Sequence, residues 1–471
     1  MSESSFKPVL GLRDATMIVA GSMIGSGIFI VSADILRNVG GAGWLIAVWL
    51  ITGFMTISAA VSYGELSGMF PRAGGQYVYL KESYNPLVAF LYGWSFFAII
   101  QTGTIAAVGV AFSKFLAYIV PGVSEEIILV DFGLFTVSPA QLVSIFIIVL
   151  LTYVNTRGIQ GGTVIQTTFT ITKILSLFGL IVFGLIMAKG DVWTANWTDP
   201  WHLAGLRADG SLQEYTIIAA VGAIAAAMVG SLFSSDAWNN VTFIAGEIRN
   251  PQRNIGLSLF LGTLIVSVIY VSTNFMYTAV LPLNELAFAD KDRVAVAASS
   301  VIFGEVGTVI IALMIMVSTF GCNNGLILAG ARVYFTMAKD GLFFKQVGEL
   351  NKFAVPQLAL WVQCLLACIW SVSGKYGDLL DMISFVVVLF YMLTIGGIFI
   401  LRFKRPDIKR PYKAFGYPVV PLIYIAMGIA FCTLLIIYKP RFTWPGLIIT
   451  LIGIPIYYAV LRKGGQRKVD S

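Results

Sequence analysis

The chain has 471 residues, of which 58% are hydrophobic and only 12% charged, and its mean hydropathy is +0.85. Soluble globular proteins carry about twice that share of charged residues, so this chain has too few charges to cover the surface of a soluble domain. The composition therefore excludes a cytosolic enzyme, a secreted disulfide scaffold and a disordered chain, and the net charge of +7 has to be interpreted from the positions of the charges.

Long stretches with few or no charged residues recur along the whole chain. A helix of about 20 apolar residues crosses the hydrocarbon core of a bilayer. By this criterion we predict an all-α polytopic membrane protein without a sizeable soluble domain. The sequence predicts twelve transmembrane helices, at 15–33, 44–64, 85–113, 132–156, 158–188, 215–246, 254–284, 306–331, 353–374, 382–401, 414–438 and 442–461.

Lysine and arginine residues are concentrated in every second connection between these spans. If the N-terminus is inside, most of the 31 basic residues fall on the cytoplasmic side. This agrees with the positive-inside rule, so the net charge is not the signature of a nucleic-acid surface. We predict that both termini are cytoplasmic. Residues 1–14 are polar and no cleavage pattern follows, so the first helix is expected to stay in the protein.

The first predicted span contains a polar, glycine-rich interruption. Residues 21–27 read Gly-Ser-Met-Ile-Gly-Ser-Gly, and this composition disfavours a continuous helix. Non-helical backbone at that depth requires a cavity or surrounding protein. We therefore predict a broken first helix that lines a substrate site. The alternative is a face of small residues, Gly21 and Gly25, that serves only helix packing.

Lys173 lies in the middle of the predicted fifth span, with uncharged residues on both sides. Burying it costs at least roughly 2.5–3.5 kcal/mol. We interpret it as a cation that takes the place of a sodium ion and binds carbonyl groups of the broken first helix, together with the hydroxyls of Ser318 or Thr319 in span eight. The alternative is a purely structural pair with a carboxylate, and a role in carrying a proton is also open.

The sixth predicted span has an interruption of its own. Residues 230–240 read Gly-Ser-Leu-Phe-Ser-Ser-Asp-Ala-Trp-Asn-Asn, so three serines, a carboxylate and two amides stand where a simple span would be apolar. We predict a second broken helix here. Asp236 could attract the ammonium group of a substrate or pair with a buried lysine, or it could cap a half-helix.

Spans one and six are corresponding members of two halves of five helices each. An odd number of crossings inverts the second half, and paired interruptions mark the binding site of inverted-repeat transporters. We predict a first repeat over residues 1–188, a second, inverted repeat over 189–403, and two further helices with the C-terminus over 404–471. Half-helix N-termini suit a carboxylate and half-helix C-termini suit an ammonium group, which together suit an α-amino acid.

Five segments of the chain resemble signatures of one family: residues 21–29, 65–77, 172–175, 238–251 and 318–325. Together they resemble the amino acid–polyamine–organocation (APC) transporters, and most closely their L-type amino acid transporter branch. That branch includes bacterial serine/threonine and alanine/serine/cysteine exchangers. The likeness covers nearly the whole chain and implies a 5 + 5 inverted-repeat fold with two additional helices and sodium-independent carriage of α-amino acids.

The resemblance also implies roles for residues in the two breaks. Gly25, Ser26 and Gly27 would bind the substrate carboxylate, while the backbone near Ser234 and Asp236 would hold the amino group. Phe233 would gate the outer side. The branch commonly has an aromatic residue and a glycine where this chain has Ser235 and Asp236, so the side-chain pocket is expected to differ. The predicted substrate-binding residues are Ile24, Gly25, Ser26, Gly27, Phe233, Ser234, Ser235 and Asp236, and the predicted coupling residues are Lys173, Ser318 and Thr319.

The function predicted from the sequence is an amino acid exchanger of the cell membrane, specific for small or neutral L-amino acids. A proton-coupled symporter is an alternative, and Asp236 motivates another, a carrier of cationic amino acids or polyamines. An enzyme would need a catalytic cluster, which the spans lack, and a channel seldom needs two matched helix breaks. We expect no cofactor and no metal.

The expected partners are amino acid substrates and membrane lipids, without nucleic acid. Animal members of the branch join a glycoprotein through an outer cysteine between spans three and four. Residues 121–139 contain no cysteine, and the four cysteines of the chain all lie in predicted spans, so we expect no disulfide-linked heavy chain.

Overall fold

The computed structural model describes residues 8–131, 136–373 and 376–466, together with all side chains in these ranges except those of residues 159–168, 373, 376, 378, 442 and 460–466. Lys7, Lys375, Arg467 and Lys468, which contribute to the predicted orientation, lie outside the described residues, and so does the first part of the predicted fourth span. The polar segment 1–7, part of the argument against a cleaved signal, lies outside them as well.

The described chain is built almost entirely of helices. The first half contains α1 Leu12–Met23, α2 Val31–Val39, α3 Ala42–Met69, α4 Gln76–Ser83, α5 Pro86–Ser95, α6 Gln101–Ile119, α7 Pro139–Thr156, α8 Ile159–Ile186 and α9 Gly190–Asn196. The second half contains α10 Ile217–Ser234, α11 Asn240–Phe243, α12 Pro251–Val280, α13 Leu283–Ala287, α14 Val294–Lys339, α15 Gln357–Ser373, α16 Tyr376–Lys404, α17 Val419–Tyr438 and α18 Pro440–Gln466.

Two short hairpins interrupt the helical chain in its connections. The first pairs β1 Val130–Asp131 with β2 Thr136–Val137, and the second pairs β3 Ala204–Leu206 with β4 Leu212–Glu214. The sequence predicted no element between the spans at 158–188 and 215–246, whereas the structure has α9 and the second hairpin there. Both elements are too short to leave a periodic hydrophobic pattern.

The prediction of an all-α polytopic membrane protein is confirmed. Among the described residues, nine helices are long and apolar enough to cross a membrane, and two shorter apolar helices lie at Gln357–Val372 and Thr443–Ala459. The broken pair α1 and α2 occupies the position of the first predicted span. The count of twelve spans and the division into repeats at residues 188 and 403 remain predictions.

Several helix starts follow directly from local sequence. The Asn85 side chain accepts a hydrogen bond from the N–H of Val88, and Pro86 opens the helix that follows, where a missing N–H costs nothing. Ser138 and Gln141 form a reciprocal capping box at the start of α7. These caps satisfy N–H groups that would otherwise have no partner at the membrane boundary.

Both broken helices are interrupted where the sequence predicted. The helix α1 ends at Met23, a single turn follows at Gly27–Phe29, and α2 continues the span. The helix α10 ends at Ser234, and the chain resumes helical geometry only in the four residues of α11. The second break is therefore asymmetric, because its inner half is shorter than a proper half-helix.

The two broken helices are joined through the backbone at the ends near the N-terminus of the chain, which the sequence predicts to be the inner side. The N–H groups of Val9 and Leu10 both lie 2.9 Å from the carbonyl oxygen of Glu247, and the N–H of Arg249 donates to the oxygen of Leu10 at 2.8 Å. This bridge ties the segment before α1 to the segment after α11. We refer to these residues as the inner bridge.

A buried ion pair supports the inner bridge. The Glu247 carboxylate lies 3.3 Å from the Arg332 guanidinium on α14, and the side chains are 4% and 0% exposed. We expect Glu247→Met to lower the free energy of unfolding by about 3–5 kcal/mol, because the arginine is left buried without its anion. Thermal unfolding of the purified protein measures this, and the double variant Glu247→Met/Arg332→Met should recover most of the loss. A single variant as stable as the wild type would contradict the prediction.

Candidate functional site

The inner half of the first broken helix ends among donors from neighbouring helices. The last carbonyl groups of a helix have no partner within it and carry the negative end of the helix dipole. Here the carbonyl oxygens of residues 21–24 each lie near a side-chain donor on α8, α12 or α14. The break is thus a hub where four helices meet.

Lys173 reaches this hub from α8. Its ammonium group donates to the carbonyl oxygen of Gly21 at 2.8 Å, and the side chain is 1% exposed. Within the described part of the chain, no carboxylate lies within ion-pairing distance of Lys173. The amine of Lys173 therefore faces the negative end of α1, the place at which the sequence predicted a cation.

Of the two predicted hydroxyl partners in α14, one lies at the hub and the other does not. The Ser318 hydroxyl is 3.5 Å from the oxygen of Ile24, and a cavity of about 10 Å³, room for a single water molecule, touches both Ser318 and Lys173. The Thr319 hydroxyl instead lies 3.0 Å from the carbonyl oxygens of both Ile315 and Met316 in its own helix, and it donates to one of them at a time. Backbone carbonyl groups one turn earlier in α14 therefore satisfy the Thr319 hydroxyl.

Two donors at the hub were not predicted. The Cys322 thiol lies 3.3 Å from the oxygen of Ser22. The Tyr270 hydroxyl on α12 lies 2.9 Å from the oxygen of Met23 and 3.0 Å from that of Ser234. Because a hydroxyl has one proton, Tyr270 can donate to only one of these oxygens at a time. It therefore links the C-terminal ends of α1 and α10.

The second break, residues 235–239, turns the chain sharply. Ala237 has a φ of 64°, a left-handed conformation that side chains other than glycine rarely adopt. Trp238 next to it is buried, with its ring centroid 4.8 Å from that of Tyr63 and 5.1 Å from that of Tyr391. Aromatic packing thus holds a strained backbone in place, a combination that is common at binding sites.

Asp236 lies half-buried between two small cavities. Its carboxylate accepts a hydrogen bond from the Tyr391 hydroxyl at 2.5 Å, and both residues line both cavities. It neither pairs with Lys173 nor caps a helix among the hydrogen bonds of the described residues. The first cavity has about 20 Å³ of space, which fits one water molecule.

Phe233 and Ser235 also line the first cavity, at the end of α10. The Ser234 hydroxyl donates to the carbonyl oxygen of Gly230. At the hub it is therefore the backbone oxygen of Ser234 that accepts a hydrogen bond, from Tyr270. The structure therefore brings Phe233, Ser235 and Asp236 together around one cavity. Ile24, Gly25, Ser26 and Gly27 lie at the adjoining break.

Gly27 touches the second broken helix directly. A Cβ atom added at Gly27 would lie 1.9 Å from the hydroxyl oxygen and 2.6 Å from the Cβ of Ser234. At Gly25, an added Cβ would be 3.2 Å from the sulfur of Cys322. Packing between α1, α10 and α14 is therefore one reason for these glycines, alongside the predicted approach of a ligand to bare backbone.

A row of hydrogen-bonded polar side chains extends from the second break, and the sequence indicated only some of its members. The Asn239 amide donates to the Gln76 side chain at 3.0 Å, and Gln76 in turn donates to the Thr394 hydroxyl at 3.0 Å. Gln76 lies in one of the segments that carry the family resemblance. Tyr391 gave no comparable signal, because a tyrosine in an apolar span is usually part of the helix packing.

Comparison with known proteins places this geometry in a family. The sequence model described as "Amino acid permease" matches residues 10–460. The serine/threonine exchanger SteT of Bacillus subtilis (strain 168) is 28% identical over 98% of both chains. The large neutral amino acids transporter small subunit 2 of Homo sapiens is 29% identical, over 96% of this chain and 80% of its own. The human b(0,+)-type amino acid transporter 1 is 28% identical, over 97% of this chain and 88% of its own.

Proposed function

Because the chain belongs to the amino acid permease family of APC transporters, we propose that it is a sodium-independent exchanger of small or neutral L-α-amino acids. It is a transporter and not an enzyme. The carboxylate of the substrate binds at Gly25, Ser26 and Gly27, where the outer half of the first helix begins. The ammonium group binds near the carbonyl end of α10. Movement of the helices at the two breaks opens the substrate site alternately to one side of the membrane and to the other.

The observation that carries this proposal is the contact between the Lys173 ammonium and Gly21 O, at 2.8 Å. A carbonyl cluster in a dry site otherwise needs a bound cation to offset its negative potential. Lys173 supplies that charge from its own side chain, so no bound metal cation is needed for it. Substrate binding then requires no sodium, which supports the sodium-independent mechanism.

Counterflow into proteoliposomes tests the proposal. Protein reconstituted with unlabelled serine, alanine or leucine inside should accumulate the labelled amino acid from outside, equally well in sodium and in choline buffer. Uptake that requires an internal amino acid indicates an exchanger, whereas uptake driven by an inward proton gradient into empty vesicles indicates a symporter. A strict requirement for sodium would contradict the proposal.

Phe233 is the proposed outer gate. The residue is 8% exposed and lines the first cavity, which has to widen to accept an amino acid. We expect Phe233→Ala to raise the apparent KM about tenfold, because a closed site loses one packed aromatic contact. Exchange kinetics measure this, with Phe178→Ala as a control, since Phe178 is 64% exposed on α8. Wild-type kinetics in Phe233→Ala would remove Phe233 from the gate.

Asp236 supports a second candidate function, transport of cationic amino acids or polyamines. The Asp236 carboxylate is half-buried beside a cavity, and no basic side chain among the described residues forms an ion pair with it. It would therefore attract the positively charged side chain of a substrate. Competition by lysine, ornithine and putrescine against a labelled neutral amino acid separates the two functions. The second function is the correct one if the cationic compounds compete strongly in the wild type and their potency as competitors falls at least about tenfold in Asp236→Asn.

The proposed location is the cell membrane, with both termini in the cytoplasm. The basic residues in the connections between α3 and α4, after α11 and after α16 support this orientation. The proposal includes no disulfide-linked heavy chain. Its support is that the four cysteines all lie in helices, three of them buried and Cys368 half-buried.

A further inference from the structure

A deep apolar groove runs between α3, α12 and the segment that joins α16 to α17, with a volume of about 730 Å³. The two helices nearly touch at its floor, where a Cβ added to Gly256 would lie 3.5 Å from the Cα of Gly64. Small side chains at the floor leave space above it, and Phe54 and Leu257 form opposite walls. The shape is that of a narrow cleft open along one side.

The open side of the groove carries exposed apolar side chains. Phe54 is 45% exposed, Phe260 38% and Phe415 73%, although all three are large and apolar. Phe54 and Phe260 lie on α3 and α12, whose length and composition suit a bilayer, so their exposed side chains are expected to meet lipid tails and do not call for a protein partner. A cleft of this kind offers an acyl chain more contact than a smooth helix surface does.

A basic residue lines one end of the groove, and others lie nearby in the sequence. Arg253, in the first turn of α12, lines the groove, is exposed and forms no ion pair within the described ranges. Four further exposed basic residues lie in the same segments of the chain, before α12, at the end of α16 and between α16 and α17: Arg249, Lys404, Lys409 and Lys413. Asp407 is the acidic residue of the connection between α16 and α17. An anionic group is therefore favoured at this end of the groove.

We propose that the groove binds one anionic phospholipid, with an acyl chain between α3 and α12 and the phosphate beside the Arg253 guanidinium. The apolar walls alone would accept the tail of any phospholipid. The charge at the mouth selects among head groups, because a zwitterionic lipid brings no net negative charge to Arg253. The site is separate from the two helix breaks, and the proposal does not depend on the transported substrate.

Native mass spectrometry of the purified full-length protein tests the lipid site. The probes are dioleoyl phosphatidylglycerol, dioleoyl phosphatidylcholine and free glycerol 1-phosphate, titrated into delipidated protein. We expect one phosphatidylglycerol to be retained in preference to phosphatidylcholine. In Arg253→Gln its affinity should fall about fivefold, as expected for one basic residue beside a lipid phosphate, with phosphatidylcholine unchanged. Val61→Phe, which narrows the groove, should weaken retention of both lipids.

The matched control is Lys345→Gln, which removes an exposed positive charge outside the groove and should leave retention unchanged. Equal retention of the two lipids by the wild type would overturn the proposal. So would an unchanged preference for phosphatidylglycerol in Arg253→Gln, or binding of glycerol 1-phosphate with the same dependence on Arg253. If Arg253→Gln does not fold, the wild-type preference together with the Val61→Phe result decides the question.

Discussion

Replacing Lys173 by alanine should reduce the rate of exchange roughly 10- to 100-fold. The variant should still insert into the membrane and remain folded when it is purified in detergent. The exchange rate falls because Gly21 O, 2.8 Å from the ammonium, loses its donor in a dry site. An unsatisfied buried carbonyl costs about 1–3 kcal/mol, and this free energy adds to the activation barrier of each transport cycle. The wild type should transport equally in sodium and in choline buffer.

Proteoliposome exchange across a sodium series measures this effect for wild type, Lys173→Ala and Lys173→Met. Lys114→Met is the matched control, because Lys114 is another lysine in a membrane helix, α6, and among the described residues its side chain forms no hydrogen bond or ion pair with the first break. Its exchange rate should stay close to that of the wild type. Full activity in Lys173→Ala, or a sodium requirement in the wild type, would exclude the lysine from the mechanism.

Gly27→Val should abolish substrate binding. The added side chain would fill the space where the proposed carboxylate approaches bare backbone, and its Cβ would collide with Ser234 of α10. The collision alone predicts a loss of stability of about 1–3 kcal/mol, as for other overpacked sites. A single variant therefore cannot separate the effect on the ligand from the effect on helix packing.

The double variant Gly27→Ala/Ser234→Gly separates the two effects. Removing the Ser234 side chain makes room for one methyl group at residue 27, so the midpoint of thermal unfolding should return toward that of the wild type. If the ligand meets the backbone at Gly27, substrate affinity measured by scintillation proximity stays low in the double variant. Recovery of affinity together with stability would show that this glycine serves only the contact between α1 and α10.

The main features of the fold could be predicted from the sequence because each depends on a local pattern. The scarcity of charge predicted the membrane helices, and the polar residues of two spans predicted the two breaks, which the structure has at residues 24–26 and 235–239. Lys173 was predicted to contact the first break because a lysine in mid-membrane has few other partners. These inferences need only the chain's own spacing and the properties of the bilayer.

Other features of the site depend on how distant segments pack, and a single sequence does not encode that visibly. Tyr270 and Tyr391 were missed because tyrosines are common in membrane helices and their partners lie 36 and 155 positions away or more in the chain. Thr319 was predicted, together with Ser318, as a partner of Lys173, whereas in the structure its hydroxyl bonds within α14. The role of Gly27 beside Ser234 likewise appears only when the two breaks are placed side by side.

The inner bridge makes three backbone amides into natural reporters of which way the carrier faces. The N–H groups of Val9, Leu10 and Arg249 are all bonded across the two broken helices. A conformation open on this side has to separate those partners and expose the amides to water, whereas a conformation open on the other side leaves them paired. Deuterium uptake at these three positions should therefore rise and fall with the share of molecules open to this side, without any label or engineered cysteine.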